Sequence, residues 1–212
     1  NCSTIQMMVV LKPLHDISPL ERVIVSTYQS VSGAGSDAME ELQKQVLSSF
    51  SSEPLEPKVF PHQIAFNCIP HIDVFFENGM TKEEMKMILE SRKILGLPEL
   101  KISATAVRVP TFISHSESLN VDFKEPIRVE DVREALSKAP GLVVLDDPKS
   151  KVYPLGFAAA GTDEVYVGRI RRDLSNENGI HLWVVADNLR KGAATNAVQI
   201  AELCIKNRFH RR

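Results

Sequence analysis

Apolar and polar residues change period several times along the chain, and each change predicts a new element. Ser3 to Lys12 is apolar enough for a helix, with Asn1 or Cys2 at its N-terminus and Pro13 ending it. "RVIVSTY" at 22–28, rich in β-branched and aromatic residues, predicts a buried strand. "SVSGAGSD" at 30–37 predicts a turn. The helix after it carries Met39, Leu42, Val46 and Phe50 on one stripe. Residues 51–71 are proline-rich and predict a long loop, with a short strand "IDVFF" at 72–76 behind it.

The second half is punctuated more clearly. Thr81 and Glu84 form a capping box at the head of "TKEEMKMILESRKILG", and Gly96 closes that helix. "KISATAVRV" at 101–109 alternates, placing Ile102, Ala104, Ala106 and Arg108 on one face. A turn at Pro110, a strand "LNVDF" at 119–123 and a helix "VEDVREALSKAPG" follow. "EVYVGRIR" and "GIHLWVVAD" predict two strands joined by a polar turn, and 187–209 predicts a final helix. Mixed elements with hairpin signals point to an α+β fold: a mixed, largely antiparallel sheet packed with helices.

Composition narrows the possibilities. The 212 residues are 43% hydrophobic and 25% charged, as in an ordinary globular domain. A net charge of -2 makes no case for nucleic acid or an anionic membrane surface. No apolar run reaches the ~20 residues that span a bilayer. The start has no secretory signal pattern. Cys2, Cys68 and Cys204 are odd in number and far apart, which argues against a disulfide framework or a zinc site and for a reduced, cytoplasmic setting.

Several residues could carry chemistry. Cys2, at a helix start, gains from the dipole and from free N–H groups, which favour the thiolate and could hold an oxyanion. It could equally be a small buried cysteine. His115 could accept a proton, or be a satisfied turn residue. Arg108, ending a face of small residues, could clamp a carboxylate or phosphate, or form a salt bridge at a strand end. Glu83 and Lys86, spaced i,i+3, could hold an ammonium and a phosphate, or be a solvated ion pair. The turn at 30–35 could cradle a phosphate or ribose, but it matches neither a Walker loop nor GxGxxG. The basic tail "KNRFHRR" reads as a frayed helix end.

Taken together, "NCST", "VIVSTYQSVSGAG", "TKEEMKM", "TAVRVPTFISHSESLN" and "DNLRKGAATNAVQIAE" resemble one family, the aspartate-semialdehyde dehydrogenases, from the catalytic cysteine onward. The resemblance covers nearly the whole chain in family order. It implies a glyceraldehyde-3-phosphate dehydrogenase C-terminal-domain-like fold. Residues 1–212 would be the catalytic and dimerisation domain, without the Rossmann NADP domain that precedes this point in the family. The helix at about 187–209 would pack back on that domain.

The same resemblance implies roles. Cys2 would be the nucleophile and His115 the general acid/base. Gln29 would orient substrate and thioester, Glu83 would meet the α-ammonium, and Arg108 the α-carboxylate. Lys86, helped by Asn1, would bind phosphate; Ser32, Gly33 and Asn188 would touch the NADP cofactor. The implied reaction is NADPH-dependent conversion of L-aspartyl phosphate to aspartate semialdehyde and phosphate through a cysteine thioester, feeding lysine, methionine and threonine synthesis. A homodimer or tetramer is implied, and the chain alone is expected to be inactive. Two alternatives stay open: a related acyl-phosphate or malonyl-CoA reductase, against which Glu83 argues, and a non-catalytic dimeric scaffold.

Overall fold

The computed structural model describes residues 1–51 and 56–207. The chain runs α1 (Cys2–Ile17), β1 (Leu20–Gln29), a 3-10 turn (Val31–Ala34), α2 (Ser36–Ser51), α3 (Lys82–Leu95), β2 (Lys101–Arg108), β3 (His115–Phe123) and α4 (Val129–Lys138). It continues through β4 (Leu142–Val144), α5 (Gly156–Ala159), β5 (Val165–Arg172), β6 (Gly179–Ala186), a π-helical turn (Arg190–Ala194) and α6 (Thr195–Lys206). One six-stranded sheet is ordered β2-β1-β3-β6-β5-β4. β1–β2 and β4–β5 are parallel; the three pairs between them are antiparallel. The expected α+β class and mixed sheet are therefore what the chain forms.

Strand alternation gives the sheet two unlike faces. On the inner face the register aligns Ala104, Val25, Leu119 and Leu182 in one row. α1 lies against it with Met7, Val10, Leu11 and Leu14 fully buried. Each such side chain contributes about 1.5–3 kcal/mol of transfer free energy. The next row toward one end of the sheet is Ala106, Thr27, Glu117, Val184 and Val167, and the last row holds Arg108, Gln29, His115 and Ala186. The inner face thus turns from apolar to polar over its final two rows, and the candidate site is its end.

Some expectations need correction. Pro13 does not end the first helix; it lies inside it, and the helix runs to Ile17. The lost hydrogen bond is tolerated because Leu11 and Leu14 on either side are anchored in the core. "IDVFF" is not a strand: Asp73 takes a positive φ of 68°, and only Phe75 makes an isolated bridge, to Thr81. β3 starts at His115, four residues earlier than expected, and β4 and α5 had no clear signal. The last helix is preceded by the π turn. Its expected end at 209, and residues 208–212 of the basic tail, lie outside the described residues.

The helix at Thr81 is capped as expected: Thr81 and Glu84 bond reciprocally, and Gly96 closes it in the left-handed conformation. α2 behaves less simply. Of its apolar stripe Leu42 is fully buried, while Phe50 is 82% exposed. The face it buries is partly polar, and that face holds the long loop. The Glu41 carboxylate accepts from the backbone N–H groups of Lys58 (2.8 Å), Val59 (2.5 Å) and Phe60 (3.4 Å). Gln45 Oε1 accepts from Ile64 and Ala65 N–H at 2.9 and 3.0 Å. Glu41→Ala is expected to cost about 3 kcal/mol, the loss of several charge-assisted hydrogen bonds. Hydrogen exchange should then accelerate at the Lys58 and Val59 amides and not in β1; unchanged protection there would show that the loop is held by other contacts.

Candidate active site

Three strand ends, two helix starts and the π turn meet at the polar end of the sheet. Cys2 opens α1, whose N-cap is Asn1: its Oδ1 accepts from Thr4 N–H at 2.9 Å. Asn1 Nδ2 is buried without a partner among the described residues. The expected thiolate does not follow from the helix start. Burial pushes the Cys2 thiol above its ordinary value, and the Glu83 carboxylate adds to this. The Ser3 N–H and the Arg108 guanidinium pull the other way without reversing it. Terminal dipole effects on the order of 1 kcal/mol are smaller than the desolvation of a mostly buried sulfur.

The π turn closes over the sulfur-bearing residue. A Cβ on Gly192 would sit 2.8 Å from Cys2 Cβ, so the close approach requires glycine. Asp187 holds the turn, accepting from Leu189 and Arg190 N–H through Oδ1 and from Gly161 N–H through Oδ2. Arg190 makes a two-pronged contact with Asp163 at 2.8 Å for each bond.

Gln29, Arg108 and Glu83 form the next group. Gln29 ends β1 and Arg108 ends β2, directly opposite in the parallel register. Gln29 Nε2 donates to Glu83 Oε1 at 3.0 Å and to Thr27 Oγ1 at 3.3 Å. Glu84 occupies the cap, which leaves Glu83 free to turn inward, where it is 7% exposed. Arg108 is 5% exposed and donates from Nη1 to the Ser30 carbonyl at 2.7 Å. Burial lowers its pKa, while Cys2 and Glu83 oppose that shift. A planar cation is thus placed beside an anion and a thiol in a nearly water-free setting.

His115 opens β3 and is fully buried. The Ser30 backbone N–H donates to its Nδ1 at 3.1 Å. Nδ1 must then carry the lone pair, so the neutral ring holds its proton on Nε2. Burial, aided by the Arg108 charge, lowers its pKa from 6.5 to about 3. Nε2 has no partner among the described residues. A Cβ on Gly33 would lie 2.8 Å from Arg108 Nη1 and 3.2 Å from His115 Nε2, so an exposed glycine borders both groups.

Asn188 ties the remaining pieces together. Its Oδ1 accepts from Ser114 N–H at 2.9 Å and lies 3.1 Å from the Ser30 and Ser32 hydroxyls. Its Nδ2 donates to Ser32 Oγ at 3.0 Å. The structure therefore gathers Cys2, Gln29, Glu83, Arg108, His115, Ser32, Gly33 and Asn188 at one end of the sheet. Lys86 stands apart, one turn beyond Glu83 on α3, partly exposed and 3.5 Å from Asp73, not paired with Glu83.

Other residues of the site carried no usable signal in the sequence. Ser30 holds His115 and Arg108 through its backbone, which no side-chain pattern reveals, and its hydroxyl also lies 3.1 Å from His115 Nδ1. Asp163 and Asp187 act through distant partners. Glu117 had a readable signal: alternation continues from Leu119 back through Glu117 to His115. The strand's shorter expected span hid it.

Residues 11–191 match the family described as "Semialdehyde dehydrogenase, dimerisation domain". The aspartate-semialdehyde dehydrogenase of Aquifex aeolicus is 56% identical over 208 residues, covering 97% of this chain and 61% of that relative. A crystal structure of aspartate semialdehyde dehydrogenase II complexed with ASA, from Vibrio cholerae, is 49% identical and superposes with a TM-score of 0.95. It covers 99% of this chain and 62% of that one. The Candida albicans aspartate semialdehyde dehydrogenase with NADP is 26% identical, with a TM-score of 0.69, over 96% of this chain and 56% of that one. The chain spans about three fifths of the length of these relatives.

The neutral His115 predicts an acid-sensitive fold. An unfolded chain takes up the imidazole proton first, near 6.5, whereas the folded chain does so near 3. The stability this confers is complete above about pH 6.5 and is lost as pH falls toward 3; by pH 5 the loss is about 2 kcal/mol. Urea denaturation at pH 7 and pH 5 should show the wild type losing about 2 kcal/mol more than His115→Gln. Equal losses would mean that the ring is not held neutral.

Proposed function

The chain belongs to the semialdehyde dehydrogenase family, by its dimerisation domain, and on that premise we propose that residues 1–212 form the catalytic and dimerisation domain of an aspartate-semialdehyde dehydrogenase. The reaction is the NADPH-dependent reductive dephosphorylation of L-aspartyl phosphate to aspartate semialdehyde and phosphate. Its setting is cytoplasmic amino-acid biosynthesis toward lysine, methionine, threonine and diaminopimelate. The observation that carries this reading is the buried group of Glu83, Gln29 and Arg108 beside Cys2 and His115. An amino acid substrate needs an anion for its ammonium and a planar cation for its carboxylate. Glu83 and Arg108 supply both within one buried cluster.

Each residue then has a task. Glu83, oriented by Gln29, receives the α-ammonium, and Arg108 receives the α-carboxylate. Lys86, partly exposed on α3, meets the phosphate together with Asn1 Nδ2, which has no partner among the described residues. Pairing of Glu83 with an ammonium removes the influence that, after burial, most holds the Cys2 proton. Substrate binding thereby helps to activate the nucleophile. Cys2 Sγ attacks the acyl carbon, the bond to phosphate breaks, and the thiol proton leaves with the phosphate. The acyl group is left as a thioester. The His115 Nε2 proton, already positioned, stabilises negative charge developing on the acyl oxygen.

The nicotinamide cofactor, when bound, supplies the hydride that reduces the thioester. Ser32, Gly33 and Asn188 fit its carboxamide end: two hydrogen-bonding side chains and a glycine border His115, where a Cβ would crowd the ring. The rest of its site belongs to a Rossmann domain preceding Cys2. α6 supports this arrangement: it buries no residue, and Val198, Leu203 and Ile205 are all more than half exposed. The segment beginning at Asp187 packs back on that domain in our reading.

The outer sheet face supports a homodimer. Tyr28 and Trp183 pack with ring centroids 5.4 Å apart, beside a groove of about 810 Å³ that is mostly apolar. Phe157, 98% exposed, lines that groove. Such a face needs cover. No helix among the described residues is long and apolar enough to cross a membrane.

Three measurements test this reading. In the enzyme in which this chain follows its nicotinamide-binding domain, Cys2→Ser should yield no acyl adduct with aspartyl phosphate by mass spectrometry. Arg108→Lys should lower kcat/KM roughly 100-fold, since ammonium cannot make the two-pronged contact; a near-normal value would remove the clamp. The chain should sediment as a dimer, and Phe157→Glu as a monomer of intact fold. A monomeric wild type would exclude the outer face as an interface at the concentration used.

A further inference from the structure

Glu117 is a charged residue type at a position where a charge has nothing to rest on. It lies in β3 two residues past His115, on the same inner face and one row below the site. It is fully buried. Its strand neighbours are Thr27 on β1 and Val184 on β6. Among the described residues, neither carboxyl oxygen has a donor in hydrogen-bond geometry. The nearest amide is that of Gln6 on α1, whose approach favours the ionised form but is outweighed by burial. From α3 it faces Glu83, another anion. The cation of the site, Arg108, is turned instead toward the Ser30 carbonyl.

Gln6 has the complementary defect. Its Nε2 donates to the His115 carbonyl at 3.4 Å, but its Oε1 is buried and accepts nothing among the described residues. Gln6 lies one turn after Cys2 on α1, so it joins the nucleophile's helix to the strand that carries the imidazole. An ionised Glu117 would draw on the Gln6 amide without reaching hydrogen-bond geometry, and would leave Gln6 Oε1 with no donor. A buried carboxylate without a donor costs several kcal/mol, and two carboxylates facing each other in low dielectric add to that. A single proton on Glu117 removes the charge and supplies the donor that Gln6 Oε1 lacks.

We propose that Glu117 is held as a neutral carboxylic acid whose O–H donates to Gln6 Oε1, making it a positioning residue that fixes the first turn of the Cys2 helix against the His115 strand. Burial raises its pKa well above 4.5, in keeping with that state. Glu117 touches neither substrate nor cofactor in this arrangement; it acts through Gln6. Its neutrality also keeps a second negative charge away from Cys2 and leaves Glu83 as the anion available to an ammonium. The proposal bears on the site assigned above, but it depends only on the geometry of this chain.

The test uses the 212-residue chain with Cys68→Ser and Cys204→Ser, so that Cys2 is the reporter thiol. Infrared difference spectra between Glu117 and Glu117→Gln at neutral pH should contain a protonated-carboxyl C=O band assigned to Glu117; its absence overturns the proposal. Cys2 alkylation by iodoacetamide is then followed against pH. Glu117→Gln, neutral and still a donor, should leave the midpoint unmoved and the rate within about threefold. A lower midpoint would show that a negative charge had been removed, and would overturn the proposal. Glu117→Leu should speed alkylation roughly tenfold by loosening the first turn. A wild-type rate with an intact fold would refute the tether. If Glu117→Leu does not fold, the infrared band and Glu117→Gln still decide. None of these measurements needs aspartyl phosphate or a nicotinamide, so they can fail while the enzymatic reading stands, and the reverse.

Discussion

The backbone of Ser30 is the tie on which the site depends. Its N–H donates to His115 Nδ1, and its carbonyl accepts from Arg108 Nη1. One peptide segment thus sets the tautomer of the imidazole and anchors the guanidinium. Neither bond depends on the identity of the side chain at position 30. What places Ser30 correctly is β1, paired to β2 on one side and β3 on the other. The core rows beneath are therefore part of the chemistry: α1 packs on them, and the same packing sets where Cys2 stands relative to the ends of β1, β2 and β3.

Polar groups in such a setting must be matched to one another, because water cannot serve them. Most are. Glu83 finds Gln29, Asn188 finds two serines and a peptide N–H, and Asp187 spends its oxygens on three backbone amides. The unmatched atoms are informative by contrast. Asn1 Nδ2 and His115 Nε2 border the assigned pocket, where a bound acyl phosphate offers acceptors. Glu117 lies one row deeper, fully buried and near Gln6, and there a proton is the partner we propose.

Much of this was legible in the residues, for identifiable reasons. The capping box at Thr81 and the alternation in "KISATAVRV" are local, and both formed as expected. Because Glu84 serves the cap, Glu83 could be set aside as free, and it is the carboxylate that turns inward. Arg108 was readable as the last member of a small-residue face. Pro13 misled because its local cost is outweighed by the burial of Leu11 and Leu14, which only the fold reveals. Asp73 misled because a positive φ inside an apolar run leaves no trace in composition. The thiol of Cys2 misled in a more instructive way: helix position is local and visible, whereas burial and a carboxylate from residue 83 are not.

That last difference changes how the nucleophile is understood. A thiolate fixed by the helix dipole alone would be reactive at all times, toward oxidants as well as substrate. A thiol held up by burial and by Glu83 is quiet until something alters its surroundings. In the proposed reaction the substrate does so itself: its ammonium neutralises Glu83, while Arg108, whose charge already favours the thiolate, stays beside the sulfur. Recognition of the amino acid and activation of the cysteine then draw on the same carboxylate. In that reaction a substrate lacking the ammonium would leave Glu83 as well as burial acting against the thiolate. On the proposed reading, selectivity would be electrostatic as well as steric, and a neutral Glu117 would keep other negative charge out of the row beneath.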